Sequence, residues 1–201
     1  MAFKLSQRSL GRLEGVKPEL VDVVKRAIEL TTIDFGVTEG LRTEERQKEL
    51  VAKKASKTMK SKHLTGDAVD LMAYIGSRGS WELNLYDEIA DAMKAAAIEK
   101  GVRIKWGAAW SVDCLNDWEG TAEEAMNSYV DLRRSQGRRC FIDAPHYEIV
   151  SDQLIFTLRG LLCSPRFPSL SFSFQCFSKH TNEFNRLGCF LISARSPLPP
   201  H

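Results

Sequence analysis

Two short polar motifs constrain this chain more than any other feature. The first runs Ser61-Lys62-His63-Leu64-Thr65-Gly66-Asp67-Ala68-Val69-Asp70, and the second, far later, runs Asp143-Ala144-Pro145-His146-Tyr147-Glu148. Both belong to segments that read as strands: Ala68 to Tyr74 is apolar enough to be buried, and Ile142 to Val150 has β-favouring composition. Two histidines and a carboxylate, drawn from these separated segments, make a three-ligand set for zinc that leaves a fourth position open for water. Neutral imidazole and carboxylate hold zinc at about 2.0–2.2 Å, and the metal lowers the pKa of bound water towards about 7. The expectation is a catalytic rather than a structural site.

Asp143 precedes His146 by one turn's length, and Pro145 disfavours a helical conformation at Ala144. A turn over 143–145 would bring the Asp143 carboxylate to the metal site as general base. Glu148 lies two residues beyond His146 and shares its face if the segment is a strand, which makes it a rival base or a support for the histidine.

The five cysteines include no C-x-x-C pair, so a thiolate zinc finger and a disulfide framework are both disfavoured, and metal must be held by His and carboxylate. Cys114 and Cys140 bracket residues 111–142 and are expected to be free. A chain of 201 residues with 43% hydrophobic composition can bury one good core. Its net charge of +2 lacks the clustered basic excess of a nucleic-acid binder, so no nucleic-acid partner is expected. No secretory signal and no transmembrane segment are read, which predicts a soluble chain made in the cytosol.

Pro18 opens a run in which Leu20, Val23, Val24, Ala27 and Ile28 recur at helical spacing. A short strand over Ile33–Thr38, a turn at Gly40 and an exposed helix over Thr43–Lys54 follow. Residues 53–62 are lysine-rich without periodicity and read as a surface loop. After the strand at Ala68–Tyr74 and a turn over Gly76–Gly79, a long helix is predicted from Trp81 to Lys100, stopped by Gly101. A strand over Val102–Trp106 and a helix over Glu119–Arg134, charged to suit its macrodipole, complete the pattern. Trp106 and Trp110 suit either a glycan groove or core packing.

From Cys163 the composition changes: six of the ten Phe and five of the seven Pro fall in the remainder. Residues 1–152 are expected to form one catalytic domain, with an insertion at about 111–142, and residues 153–201 an atypical, poorly ordered tail. His180 and His201 lie in that tail without partnering spacing.

The Ser61-x-His63-x-x-Gly66-x-Ala68-x-Asp70 run and the Asp143-x-x-His146 pair resemble those of the zinc D-Ala-D-Ala carboxypeptidase (VanY-like) family, above all its phage endolysin branch, the L-alanyl-D-glutamate endopeptidases. Gly11-Arg12-Leu13-Glu14-Gly15-Val16, the stretch Val37-Thr38-Glu39-Gly40-Leu41-Arg42-Thr43-Glu44-Glu45-Arg46-Gln47, and Trp106-Gly107 are similar as well. The resemblance implies an α+β fold of the Hedgehog/DD-peptidase type, a small antiparallel sheet carrying the zinc site with flanking helices. It implies Zn2+ on His63, Asp70 and His146, with Asp143 as catalytic base. Arg42 would bind a substrate carboxylate or stabilise the oxyanion, and Ser61 would hydrogen-bond near the substrate.

The implied function is hydrolysis of the peptide stem of bacterial peptidoglycan, at the L-Ala-D-Glu bond, by a monomeric phage endolysin in host lysis. Such an enzyme would accumulate in the host cytoplasm and reach the wall in the periplasm after a holin-type partner permeabilises the membrane. The alternatives are a D-Ala-D-Ala carboxypeptidase and a non-catalytic wall-binding module. Two departures are visible: Gly107-Ala108-Ala109-Trp110 stands where these endolysins often have Gly-Gly-Asp-Trp, and the stretch from Trp110 to Asp143 is longer than in compact members.

Overall fold

Local sequence accounts for most of the helices in the structure, a computed structural model that describes residues 2–150. The expected tail over 153–201, with His180 and His201, lies outside the described residues. Helix α1 (Gln7–Arg12) opens the fold, capped by Ser6, whose hydroxyl accepts from the Ser9 amide. At six residues it is too short for a hydrophobic period to reveal it, and the sequence reading does not include it. Helix α2 (Pro18–Leu30) buries all five of the apolar residues at helical spacing, with Pro18 in the first turn where its missing N–H has no partner to lose.

Strand β1 (Asp34–Glu39) leads into α3 (Glu44–Ala52), where Thr43 caps the free amide of Arg46. Strand β2 (Ala68–Ile75) turns through Gly76 into β3 (Arg78–Ser80), a three-residue strand where only a turn is expected from sequence. Helix α4 (Leu83–Lys100) stops at Gly101, whose φ of 65° is the left-handed conformation glycine adopts without penalty. Strand β4 (Ile104–Trp106) precedes α5 (Ala122–Ser135), which starts with a reciprocal capping box between Thr121 and Glu124. Strand β5 (His146–Ile149) is shorter than the predicted Ile142–Val150 strand. Residues 143–145 form a turn instead, closed by the His146 amide donating to the Asp143 carbonyl at 3.0 Å.

The sheet is antiparallel throughout, in the order β1-β2-β5-β4, with β3 pairing the end of β2. Along β2 the side chains alternate: Val69, Leu71 and Ala73 are fully buried, whereas Asp70, Met72 and Tyr74 are half-buried. Helix α4 packs on β2 and β4 and against α2, so Val69, Leu71, Ile89, Met93, Ile104 and Tyr147 share one core. The expected α+β class is thus the observed one. In the register of β2 against β5, Asp70 lies opposite His146 and Ala68 opposite Glu148. Asp70, His146 and Glu148 therefore share the face of the sheet away from the α4 core. Cys114 and Cys140 are both free. Among the described residues, no helix is long and apolar enough to cross a membrane.

Candidate metal centre

The sheet register places two of the three expected ligands side by side, and a turn delivers the third. His63 sits on a 3-10 turn (Lys62–Thr65) rather than on a strand. Ser61 starts this turn, its hydroxyl accepting from the His63 amide at 3.4 Å, and Gly66 ends it in the left-handed conformation. The expected strand begins at Ala68, as β2 does, and ahead of it this cap-and-stop pair bends the chain and aims the imidazole inward.

His63, Asp70 and His146 each offer one ligand atom, all within 4.8 Å of one another. His63 Nε2 is 3.2 Å from Asp70 Oδ1 and 3.3 Å from His146 Nδ1, which is itself 3.0 Å from the same Asp70 oxygen. A tetrahedron of ligands about 2.0–2.1 Å from zinc has edges of roughly 3.3–3.4 Å, close to the observed triangle. The far nitrogens settle the tautomers. His63 Nδ1 faces the Gly40 carbonyl at 2.8 Å, so it must carry the proton, and His146 Nε2 faces Glu148 at 3.3 Å. Two imidazole lone pairs and a carboxylate then converge on one point, an arrangement that suits a cation. The donor set fits zinc.

Electrostatics follow the same geometry. Burial works against ionisation of Asp70, but the close contacts with the His146 and His63 rings outweigh it and hold the carboxyl well below the usual range. Burial alone would lower His146, yet its bonds to Asp70 and Glu148 push it up to about 9. Glu148, despite desolvation, is lowered by its contact with His146. Its carboxylate meets the outer nitrogen of His146, the place from which a support for that ring acts. Asp143 is raised by burial, only partly offset by His146.

Asp143 reaches the cleft through a tight backbone fit. Its amide donates to the Gly107 carbonyl, and the Gly107 amide donates to the His146 carbonyl, both at 2.9 Å. A Cβ at Gly107 would lie 2.4 Å from the Asp143 carbonyl oxygen, so only glycine allows the end of β4 this close to the turn.

Arg42 is nearly buried, its side chain 8% exposed. Its Nε and Nη2 donate to the two carboxylate oxygens of Glu39 at 2.8 and 2.6 Å, Nη1 donates to Gln47 at 2.7 Å, and Nη2 lies 3.7 Å from Asp70. Gln47 itself is fully buried, and its amide nitrogen donates to Ser56 Oγ and to the Thr58 carbonyl. Neither Glu39 nor Gln47 stands out in the sequence, and an isolated polar residue such as Gln47 on an otherwise exposed helix carries no local signal of burial. Of the two tryptophans, Trp106 belongs to the core, with its indole N–H on the Ala144 carbonyl at 2.8 Å. Trp110 walls the cleft, stacked between His146 at 5.7 Å and Phe141 at 6.4 Å between ring centroids.

Residues 1–150 match the family described as phage L-alanyl-D-glutamate peptidase. The L-alanyl-D-glutamate peptidase of Escherichia phage T5 is 36% identical over 115 residues, which span 55% of this chain and 84% of that protein. The crystal structure of the Serratia marcescens L-Ala D-Glu endopeptidase ChiX is similar with a TM-score of 0.55 and 32% identity, covering 74% of this chain and 90% of that one.

Proposed function

The chain belongs to the phage L-alanyl-D-glutamate peptidase family, and on that premise we propose that it is a zinc endolysin cutting the L-Ala-D-Glu bond of peptidoglycan stems. The observation that carries this reading is the convergence of His63 Nε2, His146 Nδ1 and an Asp70 oxygen, with both outer imidazole nitrogens already committed to Gly40 and Glu148. When bound, zinc supplies a Lewis acid that polarises the scissile carbonyl and acidifies water.

The chain's own residues do the rest. Asp143, raised by its burial, takes the proton of the attacking water and returns it to the leaving amine. Arg42 is held by Glu39 and Gln47 with Nη2 also facing Asp70, and its permanent charge stabilises the developing oxyanion. Ser61 accepts from the His63 amide and keeps its O–H for the substrate backbone. Trp110 shields one side of His146 from water. The chain would be made in the host cytoplasm and reach the wall once a holin-type partner opens the membrane.

Mass spectrometry of purified peptidoglycan fragments, with zinc-loaded protein and a chelated control, tests the reading. Chelator-sensitive release of stem peptides with a new N-terminal D-glutamate is expected. Loss of terminal D-alanine alone would make the protein a carboxypeptidase, and intact fragments would leave a wall-binding module.

A further inference from the structure

The cleft beside the metal centre, about 500 Å³, has an unequal rim. Its floor is acidic: Asp70, Asp143 and Glu148 are each engaged in the ligand or proton-transfer geometry described above. Its outer wall is the 53–62 loop, which brings Lys54, Lys57, Lys60 and Lys62 to the opening. Lys54, Lys57 and Lys60 are exposed, Lys62 is half-buried, and among the described residues no ion pair engages any of the four. Residues 1–162 carry nearly balanced charge, so the cluster is a local feature rather than a consequence of composition.

This loop is not free to place its charges anywhere. Gln47 holds it through Ser56 Oγ at 2.8 Å and the Thr58 carbonyl, and the same side chain receives Arg42 Nη1. Lys57 Nζ sits 4.0 Å above the centre of the Phe141 ring, which stacks on Trp110, which stacks on His146. The lysine wall is thereby tied to the metal centre at both ends. Arg42, the other cation of the cleft, has committed three of its N–H groups to Glu39 and Gln47. Lys62 also acts on the Glu148 and Asp67 carboxylates, so Lys54, Lys57 and Lys60 hold the remaining positive charge of the rim.

Resting on the stem-peptidase reading, we propose that this lysine wall binds the free carboxylates of the stem on the D-glutamate side of the scissile bond, and so makes the protein select free-acid over amidated stems. The substrate's chemistry fixes the direction. On the sugar side, the lactyl carboxyl and the L-alanine carboxyl are both consumed in amide bonds. Every free carboxylate lies beyond the cut: the α-carboxylate that a γ-linked D-glutamate leaves exposed, the side-chain carboxylate of a diamino acid, and the terminal carboxylate. Ammonium groups pair with such anions through charge-assisted hydrogen bonds, and amidation of the carboxylates removes the partner.

The test compares two synthetic muramyl stem peptides that differ only in amidation of the D-glutamate and diamino-acid carboxylates, using zinc-loaded full-length protein. For wild type, KM for the amidated peptide is expected to be about tenfold higher, with a smaller change in kcat, and added salt is expected to erase the difference. In the triple variant Lys54→Gln/Lys57→Gln/Lys60→Gln, KM for the free-acid peptide should rise to the amidated value, whereas the triple Lys→Arg variant should keep the preference. Calorimetric binding of both peptides reads the same preference when no bond is cut. Cleavage with equal KM and equal affinity for the two peptides, or a preference that survives in the Gln variant, would overturn the inference. Preferential binding without cleavage would uphold it and overturn the peptidase reading instead.

Discussion

Each imidazole of the metal centre is fixed from behind, and the two fixings differ in strength. His63 leans on a backbone carbonyl that cannot move without Gly40, whereas His146 leans on the Glu148 side chain. Glu148 is therefore the support that mutation can remove cleanly. Glu148→Ala is expected to weaken zinc binding about 10- to 100-fold, read by competition against a chelator of known affinity. The Asp143 carboxylate makes no hydrogen bond to any of the three ligands, and the backbone bond from the His146 amide does not depend on it, so Asp143→Asn should keep zinc stoichiometry by elemental analysis while cleavage falls by roughly 10²–10⁴. Full activity in that variant would remove Asp143 as the base. His63, Asp70, Asp143 and His146 are legible in the sequence because chemistry-bearing residues cluster in two short motifs. Glu39 and Gln47 are not, because their significance arises only when α3 folds Gln47 into the space between Arg42 and the lysine loop.

Among the elements, the helices with an apolar period and the strands β1, β2 and β4 lie close to where the sequence places them, whereas three short elements do not. Helix α1, β3 and the turn bearing His63 are each six residues or fewer, and each is set by a cap, a hairpin or a left-handed glycine rather than by periodicity. The end of β4 shows how much such local geometry decides. Gly107→Ala forces its Cβ against the Asp143 carbonyl, so the turn must shift; a loss of about 1–3 kcal/mol in stability is expected, with a larger proportional loss of cleavage because Asp143 and His146 move together. Urea titration and a stem-peptide assay on the same sample separate the two effects.

On α4, half-buried Asp87 has one oxygen buried without a hydrogen-bond partner, and burial plus Glu123, Asp91 and Glu88 push its carboxyl up to about 6. Because this pKa lies above the unfolded value of 3.8, the folded state binds the proton more tightly. Its ionisation costs nothing below about pH 4 and costs the full amount above about pH 6. The shift corresponds at face value to roughly 3 kcal/mol, which partial exposure reduces to about 1–2 kcal/mol. Asp87→Asn should therefore stabilise the protein at pH 7.5 and make little difference at pH 4, as measured by denaturant titration at the two pH values. Equal effects at both would mean the carboxylate is not strained by its neighbours.

For the molecule as a whole, the core and the candidate centre that the described residues form both lie within the first 150 residues. The Ile149 amide donates to the Asp67 carbonyl at 2.8 Å, the Val150 amide donates to the Arg103 carbonyl at 2.9 Å, and the family match also ends at 150. Every residue given a role above lies before that point. The composition break at Cys163 is legible in sequence, since phenylalanine and proline crowd together there without a period, but composition alone does not say which side of the break completes the core. The hydrogen bonds at Ile149 and Val150 tie the end of β5 to Asp67 and Arg103, and on that ground we propose that residues 1–152 fold by themselves. A chain truncated after Asp152 is therefore expected to melt within about 2 °C of the full chain and to cleave stem peptides at a rate within about twofold. Zinc at about 100 times its dissociation constant should add about 2.7 kcal/mol to either chain, or roughly 5–10 °C at this size. If the truncated chain loses this zinc-dependent gain while the full chain keeps it, residues past 152 help to build the metal centre, and the catalytic domain extends further than its hydrogen bonds indicate.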